Sequence, residues 1–264
     1  MKLTVKAVLE KKGKEKIAAL TAYDFPFARI LDEVGLDIVL VGDSLGMVLL
    51  GYDSTLPVTM REMIHHTKAV SRAVKRSLVV SDMPFGTYQA SAEQALRNAR
   101  RLIQEGGADA VKLEGGGPRA KQVKVLVEAG IPVMGHLGMT PQSATQLGGY
   151  KVQGREEEAA KEILEDAQRL EEAGIFSLVL ECVPSQLAER ITQKISCPTI
   201  GIGAGPKTDG QILVLHDLLG FKGKVEPRFV RRYADFETEA QKAFSRYLKD
   251  VRSGSFPALK ESFE

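Results

Sequence analysis

The feature that most constrains this chain is a rhythm of short apolar runs, each followed by an amphipathic stretch. Most runs are rich in Val, Ile and Leu without alternating polar residues, which is typical of parallel strands buried on both faces. Eight such runs fall at residues 17–23, 36–41, 77–81, 108–113, 131–136, 176–181, 198–203 and 212–215. The run at 212–215 is the weakest of the eight.

The stretches between the runs have the pattern of helices. Residues 25–34 and 155–173 repeat apolar residues at helical spacing. Residues 91–105 open with Ser-Ala-Glu-Gln, which predicts a capping box between Ser91 and Gln94. A further helix is predicted to begin after Pro184. Several helices are predicted to end at glycines that lead directly into the next strand, at positions 35, 106–107, 130 and 174.

Eight strand-then-helix units that use nearly all of the 264 residues predict an α/β fold, a (β/α)8 TIM barrel. A doubly wound open sheet is the alternative, because periodicity cannot show whether the strands close. Residues 229–253 then predict a C-terminal helix that covers the barrel exterior or packs on a neighbouring subunit. We therefore expect one barrel domain over residues 1–264, with a C-terminal helical extension.

Composition excludes several classes of function. The 36 Lys and Arg residues nearly balance the 34 Asp and Glu residues, which argues against a dedicated nucleic-acid binder. Cys182 and Cys197 are too few for a disulfide framework or a cysteine-based zinc site, and they fit a reducing cytoplasm. The charged N-terminus has no apolar segment of a signal peptide, and no apolar run is long enough to span a membrane.

Polar residues stand where the predicted strands end. The active site of a parallel barrel lies at the C-terminal ends of its strands, so these side chains are expected to meet at one mouth. In chain order they are Asp43 and Ser44, Asp82, Lys112 and Glu114, His136, and Glu181. Isolated buried carboxylates are very unfavourable, so several at one place need a cation or a proton.

The oxygens of Asp43, Asp82 and Glu114 are hard ligands from three neighbouring strands, which suits Mg²⁺. Zinc is disfavoured because thiols are absent and only one histidine is nearby. Structural alternatives remain open for each residue. Asp43 and Asp82 could cap the segments that follow them, and Lys112 and Glu114, two apart on one strand, could form a simple ion pair.

The remaining polar residues also have two interpretations. His136 is either a hydrogen-bonded structural histidine or an additional site residue. Glu181 ends an apolar strand, so it could act as a base or pair with a neighbouring cation or amide. The glycines of residues 201–205 are a weak phosphate-loop signal and are interpreted as letting the backbone come close to the site or to a flat ligand. Cys182 has no histidine base near it in sequence, so a nucleophilic role is disfavoured.

Seven motifs together identify a resemblance. They are LTAYD (20–24), VGDSLGM (41–47), VSDMPFG (80–86), VKLEG (111–115), GHLGMTPQ (135–142), LE (180–181) and IGIGAG (200–205). Over nearly the whole chain the sequence resembles the ketopantoate hydroxymethyltransferase family, also called 3-methyl-2-oxobutanoate hydroxymethyltransferases. The combination is specific, although no single motif is.

The resemblance implies a barrel of the phosphoenolpyruvate/pyruvate superfamily type. It also implies transfer of a hydroxymethyl group from 5,10-methylenetetrahydrofolate to 3-methyl-2-oxobutanoate, through a Mg²⁺-stabilised enolate. The product would be 2-dehydropantoate, on the pathway to pantothenate and coenzyme A. A cytoplasmic homodecamer is a further implication.

Carried over by position, the resemblance implies a role for each residue at the strand ends. Asp43, Asp82 and Glu114 would form the Mg²⁺ site, with some contacts through water. Asp43, Ser44, Asp82 and Lys112 would bind the keto acid, and Glu181 would accept the proton.

Two rival functions remain. One is a Mg²⁺-dependent carbon–carbon lyase or mutase of the same superfamily, many of which use a cysteine on a mobile loop. The other is a catalytically silent barrel that senses a keto acid, which would be expected to lack the carboxylates or the base. Residues 42–53 and 115–118 carry glycines and are candidates for a segment that closes over the site.

Overall fold

The strands close into a parallel barrel in the computed structural model, which describes residues 2–146, 148–149, 151–223 and 227–263. Each strand pairs with the next in sequence, and the last pairs with the first, with Ile17 opposite Gly210. The strands are β1 (Ile17–Thr21), β2 (Ile38–Val41), β3 (Leu78–Asp82), β4 (Ala110–Glu114), β5 (Val133–Gly138), β6 (Ser177–Glu181), β7 (Thr199–Ile202) and β8 (Gly210–Leu213). The barrel prediction is confirmed, and the doubly wound alternative is wrong.

Burial explains the apolar character of the strands. Every residue of β2, β3, β4 and β7 is buried, since side chains fill the barrel on one face and contact helices on the other. β8 alternates buried and exposed residues, and Gln211 is exposed, which accounts for its weak sequence signal. It also begins at Gly210, two residues before the predicted run. A Cβ atom at Gly210 would lie 2.4 Å from the carbonyl oxygen of Ile17, so glycine allows this closing strand to approach β1.

A helix follows every strand except β7, which connects to β8 through residues 203–209 without the expected helix. The helices are α1 (Val5–Glu10), α2 (Phe25–Glu33), α3 (Leu45–Val48), α4 (Met60–Ala73), α5 (Ala92–Gln104), α6 (Ala120–Glu128), α7 (Glu157–Glu172), α8 (Ser185–Lys194), α9 (Leu215–Leu219) and α10 (Phe236–Ser253). Helices α2 and α7 are followed by Gly35 and Gly174, whose positive φ angles of 85° and 98° suit glycine after a helix end.

The capping box predicted before α5 is only half correct. The Ser91 hydroxyl accepts a hydrogen bond from the Gln94 backbone N–H at 3.1 Å, as expected. The Gln94 side chain, however, accepts from the backbone N–H of Ala90 rather than that of Ser91. A reciprocal capping box occurs instead at the start of α4, between Thr59 and Glu62.

The chain divides into two compact units, Met1–Val214 with the barrel and Leu215–Glu264 with α9 and α10. The expectation of a single barrel domain with an extension stays a prediction. Helix α10 begins seven residues after the predicted start, where Asp235 caps the N–H of Thr238, and none of its residues is buried. No helix in the described ranges is long and apolar enough to cross a membrane.

Candidate active site

Strand register brings the predicted polar residues together. Asp82 on β3 lies opposite Lys112 on β4, and Glu114 lies opposite His136 on β5. The Lys112 Nζ is 2.9 Å from Asp82 Oδ1 and 4.0 Å from Glu114 Oε1. Lys112 therefore pairs with carboxylates on both sides, and the expected pair with Glu114 is only the longer of its two ion pairs.

These charged groups are almost completely buried, with Asp43, Asp82, Lys112, Glu114 and His136 each between 2% and 4% exposed. Burial, and then the charges of Asp82 and Glu114, raise the pKa of Asp43 well above its ordinary value. Burial alone would lower the pKa of Lys112, but the surrounding carboxylates outweigh it and raise that pKa. The mouth therefore holds more acidic groups than its single lysine can pair with.

His136 lies between two carboxylates. Its Nε2 is 3.2 Å from Glu181 Oε2, and its Nδ1 is 3.6 Å from Glu114 Oε1, although neither contact is aligned as a hydrogen bond. Burial and the Lys112 charge lower the pKa of His136, but these two carboxylates outweigh them and raise it to about 9. The pKa of Glu114 is lowered, because His136 and Lys112 outweigh the effect of burial. His136 thus links Glu181 to the other acids.

Asp43 and Asp82 do not cap helices. The Asp43 backbone N–H donates to Asp82 Oδ2 at 3.0 Å, and Ser44, rather than Asp43, precedes α3. The Ser44 hydroxyl is 2.8 Å from the hydroxyl of Tyr23, which follows β1. The structure therefore brings Asp43 and Asp82 into direct contact, as expected for one shared site.

Several residues of the site are not among the site residues expected from the sequence, although Gln142 and Phe85 lie within two of the family motifs. Gln142, in the segment after β5, donates to Asp43 Oδ2 at 2.8 Å, and its backbone N–H donates to Glu114 Oε2 at 3.0 Å. The Tyr88 hydroxyl contacts Gln142 and the backbone of Glu114. A cavity of about 160 Å³ beside Glu114 is lined in part by Phe85 and Arg119. Because these residues lie on loops, only the folded barrel shows that they surround the acids.

Two other expectations concern the ends of β6 and β7. Cys182, after Glu181, has a positive φ of 47°, and burial followed by the Glu181 charge raises its thiol pKa to about 11. A protonated thiol is a poor nucleophile, which agrees with the expectation. A Cβ atom at Gly205 would lie 2.2 Å from Ser185 Oγ, so this glycine permits close packing against α8.

The donor set suits a divalent cation. Three buried carboxylates surround one lysine, and oxygen ligands of this kind favour Mg²⁺. In the described part of the chain, no three His, Cys, Asp or Glu side chains are placed to hold a metal ion by themselves. A Mg²⁺ ion would then take its other ligands from water or substrate oxygens, as Mg²⁺ commonly does.

Solved structures with the same architecture are similar over nearly the full length. A phosphonopyruvate hydrolase in complex with oxalate and Mg²⁺ has a TM-score of 0.62 at 13% identity, covering 98% of this chain and 93% of that one. A 2,3-dimethylmalate lyase, a member of the PEP mutase/isocitrate lyase superfamily, has a TM-score of 0.61 at 15% identity, covering 100% and 89%. At these identities the similarity shows the fold alone.

Sequence comparison is more specific. A 3-methyl-2-oxobutanoate hydroxymethyltransferase of Thermoanaerobacter sp. (strain X514) is 62% identical over 253 residues, 96% of this chain and 92% of the relative. One from Nitratidesulfovibrio vulgaris (strain DP4) is 56% identical over 261 residues, 99% of this chain and 85% of the relative. The ketopantoate hydroxymethyltransferase family model matches residues 2–259. With the barrel and its acidic mouth, this shows that the chain belongs to the ketopantoate hydroxymethyltransferase family of transferases.

Proposed function

We propose that the protein transfers a hydroxymethyl group from 5,10-methylenetetrahydrofolate to 3-methyl-2-oxobutanoate, giving 2-dehydropantoate for pantothenate and coenzyme A synthesis. The observation that carries this proposal is the buried cluster of three carboxylates and one lysine at the barrel mouth, with Glu181 beside it. The names of the relatives support the reaction class.

Asp43, Asp82 and Glu114 would hold Mg²⁺, directly or through water. When bound, Mg²⁺ acts as a Lewis acid on the oxygens of a keto acid and favours negative charge that develops there. The solved hydrolase with oxalate and Mg²⁺ supports this assignment, because it has the same fold and holds a small dicarboxylate with the metal.

Lys112 and Ser44 would bind and orient the keto acid. The Lys112 ammonium, fixed by Asp82 at 2.9 Å, supplies a cation that favours developing negative charge on a nearby substrate oxygen. The Ser44 hydroxyl, held by Tyr23, supplies a hydrogen-bond partner next to Asp43.

Glu181 would remove the proton from C3 of the keto acid. Its side chain is 15% exposed, more than those of its acidic neighbours Asp82 and Glu114, so it is the carboxylate that substrate can reach most easily. The His136 Nε2 lies 3.2 Å from Glu181 Oε2, so the imidazole holds this carboxylate beside the other acids of the mouth. A carboxylate within reach of the substrate proton is what a general base requires.

The rival functions are less well supported. A lyase that relies on a reactive cysteine would need a thiolate, whereas Cys182 has its pKa raised to about 11. A silent sensor barrel would need to lack the acids or the base, and Asp43, Asp82, Glu114 and Glu181 are all present.

One assay separates these functions. Purified protein is incubated with Mg²⁺, 3-methyl-2-oxobutanoate and methylenetetrahydrofolate, and 2-dehydropantoate is followed by mass spectrometry. We expect product that depends on both Mg²⁺ and the folate. Cleavage of a 2-methyl-branched acid without folate would favour the lyase, and calorimetric binding of the keto acid without turnover would favour the sensor.

The cytoplasmic location and the homodecamer are part of the same proposal. Helix α10 supports self-association, because it exposes apolar side chains that include Phe244, Tyr247 and Leu248, which are 69%, 60% and 48% exposed. Sedimentation velocity measures the oligomeric state, and a monomer at micromolar concentration would contradict the decamer.

A further inference from the structure

Gln142 is a buried side chain that the proposed reaction does not use. It is 6% exposed and lies in a 3-10 turn, Pro141–Ser143, directly after β5. Its hydrogen bonds reach Glu114 at the end of β4 and residues in the segments that follow β2 and β3, so it connects segments that are far apart in sequence. A buried amide in such a position needs all its partners, since each unsatisfied group is unfavourable.

Every hydrogen-bonding position of the Gln142 amide is occupied. Its Nε2 donates to Asp43 Oδ2 at 2.8 Å and to the Met83 carbonyl at 2.9 Å. Its Oε1 accepts from the Tyr88 hydroxyl at 2.7 Å and from Gln89 Nε2 at 3.1 Å. Two donors and two lone pairs complete what an amide can offer. A flipped amide would place oxygen against the Asp43 carboxylate, so the orientation is determined.

The same residue holds a second acid through its backbone, because the Gln142 N–H donates to Glu114 Oε2 at 3.0 Å. Asp82 is held in a related way, by the Asp43 N–H on its Oδ2. Asp43, Asp82 and Glu114 therefore each have one carboxylate oxygen that accepts a hydrogen bond from an N–H group. The second oxygen of each carboxylate takes no part in these three bonds.

We propose that Gln142 is a positioning residue for the cation site, which fixes one oxygen of Asp43 and one of Glu114 and so holds both carboxylates in the arrangement that receives Mg²⁺. This inference rests on the metal assignment made under the proposed function. Outer hydrogen-bond partners of metal ligands act in this way, and losing one typically weakens metal binding about 10–100-fold.

The test is a calorimetric titration of the whole metal-free protein with Mg²⁺ alone. Gln142→Met keeps the length of the side chain but removes both donors and both acceptors. We expect its Kd for Mg²⁺ to rise about 10-fold or more. The matched control is Gln122→Met, the same substitution of a glutamine on α6 that is also 6% exposed. We expect its Kd to stay within about twofold of wild type, because α6 does not contact the acids through this residue.

A structural role alone would lower the melting temperature without changing the Kd of the folded protein. We therefore measure both, and we also raise Mg²⁺ to saturation, where the turnover of Gln142→Met is expected to recover. An unchanged Kd in folded Gln142→Met overturns the proposal. If that variant does not fold, Tyr88→Phe decides, because it removes the partner of Gln142 Oε1 and is expected to raise the Kd about threefold; an unchanged Kd overturns the proposal.

The outcome for Gln142 is distinguishable from that for the reaction. A wild-type protein that binds Mg²⁺ but forms no 2-dehydropantoate would contradict the proposed function. The Kd of Gln142→Met for Mg²⁺, compared with that of wild type, would still test the role of Gln142. A wild-type protein that binds no Mg²⁺ would overturn both.

Discussion

The two ends of the barrel pair their acids in opposite ways. At the N-terminal end, Asp37, Asp109 and Asp209 each stand directly before a strand, namely β2, β4 and β8. Each accepts a backbone N–H from the preceding strand in sequence, at 2.8–2.9 Å. The donors are Ala18, Val79 and Thr199.

Each of these aspartates also has its own lysine from the first twelve residues. Lys11 is 3.0 Å from Asp37, Lys2 is 2.7 Å from Asp109, and Lys12 is 2.8 Å from Asp209. Each of the three aspartates at the N-terminal end of the barrel, called the bottom, is therefore paired with a different lysine of the N-terminal segment.

At the mouth, Asp43, Asp82 and Glu114 share Lys112, and Asp43 has a raised pKa as a result of burial and its acidic neighbours. Paired acids stabilise a fold, whereas crowded acids destabilise it unless a ligand balances them. The comparison indicates that the bottom serves stability and the mouth serves function, as is usual for TIM barrels.

The largest expected effect is on Glu181, the proposed base. Glu181→Gln should slow Mg²⁺-dependent exchange of the C3 hydrogen of 3-methyl-2-oxobutanoate with deuterium about 10²–10⁴-fold, because amides do not accept protons as carboxylates do. Proton NMR in D₂O without folate measures this exchange. Glu172→Gln, at the exposed end of α7, is the control. Exchange at the wild-type rate in Glu181→Gln would remove Glu181 from the mechanism.

A second prediction tests the bottom of the barrel. The negatively charged carboxylate of Asp209 accepts hydrogen bonds from Lys12 and from the backbone N–H groups of Gly13 and Thr199. Asp209→Asn removes this charge, so we expect the free energy of unfolding to fall by about 2–3 kcal/mol. Turnover per folded molecule should be unchanged, since Asp209 lies at the opposite end of the strands from the mouth. Urea unfolding gives the free energy, and a double-mutant cycle with Lys12→Met isolates the ion pair. A loss of turnover in Asp209→Asn with unchanged stability would instead show that this acid serves function rather than stability.

A third prediction has the opposite sign. Asp43→Asn removes one acid from the crowded mouth but still offers an oxygen to Gln142, so the metal-free protein should gain on the order of 1 kcal/mol. That gain would raise Tm by about 2–4 °C while turnover falls. Differential scanning calorimetry without metal measures it. A lower Tm would show that Asp43 stabilises the apo fold and would break the contrast between the two ends.

The smallest effect concerns acid pH. Burial alone would raise the pKa of Asp209. The hydrogen bonds from Lys12 and from the Thr199 backbone, together with the positive charge of Lys12, outweigh it and lower that pKa in the folded state. The stabilisation from Asp209 is therefore present above its unfolded pKa of 3.8 and is lost as pH falls through the lower folded value. Urea unfolding between pH 5 and pH 3 should show a shallower loss of stability in Asp209→Asn than in wild type. Equal slopes would contradict this assignment.

Much of the fold could be predicted because it depends on local periodicity. The apolar runs matched all eight strands, and Ser91 caps α5 as expected. The errors occurred where a partner is not local. Gln94 bonds to Ala90 instead of closing the capping box, and β8 is identified as a strand chiefly by its pairing with β1.

The site followed the same rule. Acids at strand ends could be predicted to meet, because parallel strands all present their C-terminal ends at one edge. Gln142 and Tyr88 lie on loops without periodicity, so their contacts with Asp43 and Glu114 had no sequence signal. The charged N-terminus likewise gave no sign that Lys2, Lys11 and Lys12 pair with acids beneath the barrel.

The sequence by itself determined the order of the eight strands, the polar residues near their C-terminal ends and the family to which the chain belongs. These properties depend on residue type and short-range spacing. Only the tertiary structure decided that the sheet closes, which acid faces which cation, and how Gln142 holds two of the carboxylates. The side-chain bond from Gln142 to Asp43 alone joins residues 99 positions apart, and the geometry of such contacts depends on strand register, which spacing along one chain does not specify.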